Sequence, residues 1–310
     1  MYTAIAEKLK AGRLILLDGG TGTDIQARGV PMDGDTWCAE VNLTHPNVVC
    51  EVHADYIRAG AEVITANTYA TSPLLFNSLG RDEDMVKIDK AAVKVAREAC
   101  EELDAGSVAV AGSFSVMRPT TVGADRTSVW REWPKNEAID LMRRKADGLA
   151  ESGCDLIMME MMRDRDYSLW ATEAAVATGL PVWVGIAVEK KEDGRLLGFG
   201  RGDWQLDDIV PALMSTGAKV CNIMHTSPND TDEALPIVRR HWSGPIGAYP
   251  ESGYFKMPDW QFIDIIPPED LVAKARAWYA QGVRLIGGCC GIGPRHIKAL
   301  ADAFAKELRA

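Results

Sequence analysis

The sequence has no apolar run approaching the ~20 residues needed to cross a bilayer, which argues against a membrane-spanning helix. Positive charge is scarce: 34 Lys and Arg stand against 44 Asp and Glu, a formal net charge of −10. That balance argues against nucleic acid or an anionic membrane as partner, because both recruit basic surfaces. Residues 1–10 are an ordinary amphipathic stretch without the apolar core of a signal peptide. There is no low-complexity linker, no heptad pattern and no literal repeat. Cysteine is sparse and odd in number, seven in 310 residues. Scattered thiols of that kind point to a reducing compartment, with the cytoplasm as the expected location. What remains is a globular composition, 47% hydrophobic and 25% charged, long enough for one large α/β barrel or two ordinary domains.

Short β-rich runs alternate with helical patterns. Runs at 13–17, 63–66, 108–111, 156–159, 182–187, 220–224, 246–248 and 283–286 predict eight strands. Helical patterns at 46–58, 85–103, 136–151, 169–177, 205–215, 233–241, 268–280 and 296–308 lie between or after them. Eight βα units in this length predict a single (β/α)8 TIM barrel over residues 1–310. A doubly wound sheet is the rival, but Gly20-Thr21-Gly22 lacks the third glycine of its phosphate turn. In a TIM barrel the site sits at the C-terminal ends of the strands. Asp18, Asn67, Tyr69, Ser113, Glu160, His225, Tyr249, Cys289 and Cys290 follow successive strands and are expected at one mouth. Two segments exceed what connections need. One is 117–136, with Arg118, Trp130 and Trp133; the other is 189–204, a charged hairpin around Asp193-Gly194. Each reads as a lid or as a solvated loop.

The most informative stretch is Val283-Arg284-Leu285-Ile286-Gly287-Gly288-Cys289-Cys290-Gly291-Ile292-Gly293-Pro294. Neighbouring cysteines are poor disulfide partners, because bridging them strains the peptide between. Two thiolates at a strand end, on backbone loosened by glycine, suit one soft metal ion, with Zn2+ the usual choice. The plainer reading is two buried cysteines packed as small apolar groups.

Gly287-Gly288-Cys289-Cys290-Gly291, followed by Pro294, His296 and Ile297, resembles the C-terminal signature of the zinc-dependent homocysteine S-methyltransferases. The resemblance runs from Leu16 to about Leu300, with 45–69 the longest segment, and stops short of any arm or added module. It implies a third ligand at the end of the sixth strand, where the family has Cys and this chain reads Cys221-Asn222-Ile223-Met224-His225-Thr226-Ser227-Pro228. Alignment on Thr-Ser-Pro puts His225 at the ligand position. Cys221 is the alternative, roughly 13 Å down the strand on the same face and inside the barrel. Asp18-Gly19-Gly20-x-Gly22-Thr23 is similar to the motif whose Asp and following amides hold homocysteine, and Glu160 to the Glu that binds its ammonium. Asp18 could also be a plain N-cap, and Glu160 the partner of Arg163 or Arg165. Trp37 and Tyr69 match positions near the methyl donor; Trp130, Trp133 and Tyr249 are further candidates for an aromatic cage. Tyr249-Pro250-Glu251-Ser252-Gly253 resembles the family's Tyr-Pro-Asn-Ser-Gly-Glu motif, with Glu251 in place of Asn, a carboxylate suited to a cationic donor, and Tyr254 in place of the final Glu. The four methionines around Glu160 read as gap-filling core.

These features imply zinc-dependent transfer of a methyl group from a sulfonium or quaternary ammonium donor to a thiol, most naturally homocysteine, giving methionine. The small-molecule partners are that thiol acceptor and the cationic donor; oligomeric state stays open. Two rivals remain: a metal-dependent hydrolase or lyase on the same barrel, and a non-catalytic zinc- or thiol-binding subunit of a methyl-transfer system.

Overall fold

The structure is a computed structural model that describes residues 2–118, 132–200, 204–256 and 261–309. In chain order its elements are α1 (Tyr2–Lys10), β1 (Ile15–Leu16), α2 (Thr21–Ala27), α3 (Val41–Thr44), α4 (Pro46–Ala59), β2 (Val63–Ala66), α5 (Pro73–Ser78), α6 (Asp82–Glu102) and β3 (Ala109–Ser115). There follow α7 (Lys135–Glu151), β4 (Leu156–Met162), α8 (Arg165–Ala177), β5 (Val182–Ile186), β6 (Val188–Lys190), β7 (Leu196–Gly198), α9 (Leu206–Met214) and β8 (Val220–Met224). The chain closes with α10 (Pro228–His241), β9 (Ile246–Tyr249), β10 (Tyr254–Lys256), β11 (Gln261–Ile263), α11 (Pro268–Ala280), β12 (Leu285–Ile286), α12 (Pro294–Ala303) and α13 (Ala305–Arg309).

Eight strands form one parallel sheet in the order β1-β12-β9-β8-β5-β4-β3-β2. A parallel bridge between Leu17 and Val63 joins its two ends, with Asp18 N donating to Val63 O at 3.1 Å. The sheet therefore closes, and helices from successive βα units surround it, as the alternation of patterns predicts.

Strand residues alternate between two cores. Ile15, Leu17, Val63, Ala109, Ala111, Leu156, Met158, Trp183, Val220, Met224 and Leu285 share one cluster in the barrel interior. Leu16, Ile64, Val110, Ile157, Val184, Cys221 and Ile223 belong to the larger cluster beneath the helices. Helix α1 joins the interior cluster through Ile5, and Tyr2 accepts a bond from Trp183 Nε1 at 3.2 Å.

The eight expected strands and helices are all present, and differences concentrate at their ends. Helix α6 begins at Asp82 rather than 85, its first turn carrying Asp82, Glu83 and Asp84, acidic groups that favour a helix N-terminus. The helix expected over 296–308 begins at Pro294 and breaks at Phe304 into α12 and α13. The hairpin around Asp193-Gly194 is there as the antiparallel pair β6–β7, turning at Gly194 with φ 84°. Of the segment expected at 117–136, residues 119–131, including Trp130, lie outside the described residues. Trp133 lies in the core, its Nε1 donating to Asn77 Oδ1 at 2.9 Å, rather than in an aromatic cage at the mouth.

Candidate metal centre and amino-acid pocket

The loops after β1, β8, β9 and β12 are tied to one another by their backbones. Gly288 N donates to Asp18 O (3.0 Å), Gly20 N to Ile292 O (2.9 Å), Cys289 N to Pro250 O (2.8 Å) and Ser252 N to Cys290 O (3.0 Å). Glycine is needed in this weave. A Cβ on Gly19 would strike Ile292 O, and one on Gly20 would stand 2.7 Å from Cys289 O. The Asp-Gly-Gly turn and the vicinal-cysteine turn are thus two halves of one structure.

His225, Cys289 and Cys290 come together there, their ligand atoms all within 4.8 Å of one another. Cys289 Sγ lies 3.9 Å from Cys290 Sγ and 3.8 Å from His225 Nδ1. Tetrahedral zinc, with bonds of about 2.3 Å to sulfur and about 2.0–2.1 Å to nitrogen, separates its ligand atoms by about 3.6–3.8 Å. The Cys289–Cys290 and Cys289–His225 separations are close to that, so the donor set fits such an ion. Burial alone would disfavour a charged imidazole at 225, but bonds to Cys289 and Glu251 hold its pKa at about 10. The Cys289 thiol is pushed well up, first by the Cys290 sulfur beside it and then by burial. A cation between the sulfurs would reverse both effects.

Cys221 is not part of this cluster. It does not share a face with His225 or point into the barrel; it is fully buried beneath the helices, and burial pushes its thiol up to about 12. Regular strand alternation would have put residues 221 and 225 on one face. His225, just past β8, adopts φ 43°, a left-handed conformation that breaks the alternation.

The centre opens on a cavity of about 320 Å³. Asp18, Gly19, Asn67, Trp37, Tyr69, Glu160, Tyr249, His225, Cys289 and Cys290 all line it. Ser113 lies behind the wall and donates a short hydrogen bond to Glu160. Asp18 is not an N-cap: α2 is capped by Gly20, and the Asp18 carboxylate instead accepts from Thr65 N (2.6 Å) and Thr65 Oγ1 (3.1 Å). Burial lifts the Asp18 carboxyl to about 7, the Thr65 bonds opposing and the Glu160 charge adding. Burial also lifts Glu160 to about 7, against the bond from Ser113. Two carboxyls raised in this way are matched to a cationic ligand group, which would favour their ionised forms. Of the amides following Asp18, those of Gly20 and Thr21 are engaged by Ile292 O and Gly19 O.

Trp37 and Tyr69 meet edge to face, 6.4 Å apart at 88°. Among the described residues the buried Tyr249 hydroxyl has no hydrogen-bond partner, so a polar ligand group would satisfy it. Glu251 is not among the lining residues; its carboxylate lies 2.8 Å from His225 Nδ1. Met117, Met158, Met161, Met224, Phe199 and Arg163 also line the wall. Met158 and Met161 are therefore more than core filling, whereas Met159 and Met162 belong to the outer core. The cause is an irregularity in β4: its register against β5 shifts between Met159 and Met162, and Met161 takes φ 58°. Two consecutive residues, Glu160 and Met161, reach the mouth, which strict alternation does not foresee. Arg163 is the one cation of this group, its Nη1 donating to Phe199 O at 3.3 Å; its place just after an expected strand end was the available signal.

The homocysteine S-methyltransferase family model matches residues 15–304. Mouse betaine–homocysteine S-methyltransferase 1 is 26% identical over 325 residues, covering 98% of this chain and 75% of the mouse protein. The S-methylmethionine–homocysteine S-methyltransferase of Pongo abelii is 26% identical, covering 98% and 82%. In the metallated form of the homocysteine methyltransferase MmuM from Escherichia coli the fold superposes with a TM-score of 0.78 at 25% identity, over 97% of this chain and 99% of that one. The carboxyl transferase domain of Rhizobium etli pyruvate carboxylase, at TM-score 0.51 and 12% identity, shares the fold alone. Since the match extends from the first barrel strand to the last barrel helix and takes in the His225, Cys289 and Cys290 cluster, the chain belongs to the homocysteine S-methyltransferase family.

Proposed function

We propose that residues 1–310 form one catalytic barrel that carries a methyl group from a sulfonium or quaternary ammonium donor to homocysteine, giving methionine, on a Zn2+ held by Cys289, Cys290 and His225. The observation that carries this reading is the His225–Cys289–Cys290 cluster opening on a cavity that also holds two buried carboxyls and an aromatic pair. Zinc, when bound, lowers the pKa of a thiol and keeps it as the thiolate. Asp18 and Glu160 receive the substrate ammonium, and Ser113 holds Glu160 in place. Trp37 and Tyr69 offer ring faces to the donor cation, Tyr249 offers its hydroxyl, and the shared cavity holds donor and acceptor together. With a bound Zn2+ supplying that activation, no general base would be required of the lining residues. Cys289, Cys290 and a neutral His225 would leave a bound Zn2+ with no net charge, which would favour ionisation of a substrate thiol and temper its nucleophilicity relative to a three-thiolate site. The names of the mouse and Pongo abelii relatives carry betaine and S-methylmethionine, which define the two donor classes. All seven cysteines are free, which supports a reducing, cytoplasmic setting. Among the described residues the cluster has one His and no Asp, so nothing favours a hydrolase over methyl transfer.

The test is zinc content of wild type, His225→Ala and Cys221→Ala, each assayed with homocysteine plus S-methylmethionine or betaine. Wild type should carry about one zinc and form methionine, His225→Ala should lose the metal, and Cys221→Ala should keep it. Zinc without methionine from either donor would redirect the reading to another thiol or donor. No zinc would remove it.

A further inference from the structure

We infer that Arg163 selects a methyl donor that carries its own carboxylate, pairing its guanidinium with that anion while Trp37 and Tyr69 hold the onium group. This role rests on the reading of Trp37 and Tyr69 as the donor side of the cavity and narrows the class of compound bound there. Arg163 is 6% exposed and, among the described residues, is the one Lys or Arg that lines the cavity. It directly follows β4, and its main chain is fixed. Arg163 N donates to Ser168 Oγ at 3.1 Å, and the β6–β7 hairpin packs so tightly on it that a Cβ on Gly198 would strike Arg163 O. At the far end of the side chain, Nη1 donates to Phe199 O at 3.3 Å, beside another lining residue. The next carboxylate along the chain, Asp164, pairs with the buried Arg118.

Place within the cavity decides which anion Arg163 meets. Burial raises the Tyr69 phenol, and Arg163 is the foremost charge opposing that rise. The charge that Glu160 feels is instead that of His225. The guanidinium therefore stands on the Tyr69 side of the cavity rather than on the Glu160 side. In homocysteine the ammonium and the carboxylate share one carbon, so an acceptor held through Glu160 keeps its carboxylate on the Glu160 side. An onium group between Trp37 and Tyr69 lies near Arg163. Two like charges brought together away from water repel, which disfavours a plain tetraalkylammonium or trialkylsulfonium ion. A carboxylate a few bonds from the onium turns that repulsion into a pairing, because the planar guanidinium fork matches a carboxylate. One residue thus attracts the zwitterion and rejects the bare cation.

The test is isothermal titration calorimetry of the zinc-loaded protein, with norvaline filling the acceptor side so that no transfer occurs; in norvaline a methyl group replaces the thiol of homocysteine. The probes form two pairs, betaine with tetramethylammonium and S-methylmethionine with trimethylsulfonium. Wild type should bind at least one zwitterion about 10–100-fold more tightly than its carboxylate-free counterpart. Arg163→Gln should lose that preference by weakening the zwitterion, while the bare cation binds within about threefold of wild type or more tightly. Arg163→Lys, which keeps the charge without the fork, should weaken the zwitterion less than Arg163→Gln does. In steady-state assays Arg163→Gln should lower kcat/KM for the zwitterionic donor and leave the homocysteine KM within about threefold. A wild type without the preference overturns the assignment. So does equal weakening of both members of a pair, and so does a loss that falls on homocysteine instead of the donor. Should Arg163→Gln not fold, Arg163→Lys decides alone: unchanged affinity for the zwitterion overturns the assignment. A wild type that selects the zwitterion yet forms no methionine upholds Arg163 and overturns the proposed reaction.

Discussion

At residue scale the mouth is governed by what burial does to charge. Asp18 and Glu160 carry carboxyls lifted to about 7 by burial. Between about pH 4 and 7 the folded chain then binds more protons than the unfolded one, so the contribution to stability is present below about pH 4 and lost as pH rises toward 7. In the metal-free protein, the urea unfolding free energy should fall across that window. Glu160→Gln should flatten the fall, by on the order of 3 kcal/mol at pH 8. An unchanged slope would mean that Glu160 ionises in the fold as it does in water. On the proposed role of Glu160, the same substitution should raise the homocysteine KM about 10–100-fold, the cost of losing a charge-assisted bond to the ammonium.

At element scale, the short helix α2 sets the aromatic wall. Gly22 lies within it, and a Cβ there would stand 2.5 Å from Trp37 Cη2. Gly22→Ala should push the indole out of line with Tyr69 and raise the donor KM about tenfold, with a smaller change for homocysteine, since overpacking of this kind costs about 1–3 kcal/mol. Steady-state kinetics with each substrate varied in turn separates the two; equal changes would place Trp37 outside the donor site. The irregular end of β4 acts at the same scale, bringing Glu160 and Met161 together to the cavity. Gap-filling methionine and pocket methionine look alike in sequence, because the difference lies in a register shift between two strands.

At the scale of the whole molecule, the loop carrying Asn67 and Tyr69 is anchored from behind the barrel. Lys145 of α7 and Asp89 of α6 are fully buried, and Lys145 Nζ donates to both Asp89 oxygens (2.7 and 2.8 Å), to Thr71 Oγ1 (2.7 Å) and to Thr68 O (3.3 Å). Lys145→Met should cost about 3–5 kcal/mol in urea unfolding, because it leaves the Asp89 charge buried without its partner. A loss below about 1 kcal/mol would mean that the pair is no more than a surface-like contact.

The sequence by itself determined the barrel, its eight strands and the mouth where Asp18, Glu160, His225 and the cysteine pair gather. Those features depend on local period and on ligand chemistry, both of which are written along the chain. His225 could be chosen over Cys221 by position, although the face assigned to Cys221 was wrong. The tertiary structure alone decided that Cys221 packs beneath the helices, that Trp133 bonds Asn77, and that Glu251 turns onto His225 instead of into the cavity. Each of these outcomes depends on a backbone twist or a contact between segments far apart in the chain, and periodicity carries no record of either.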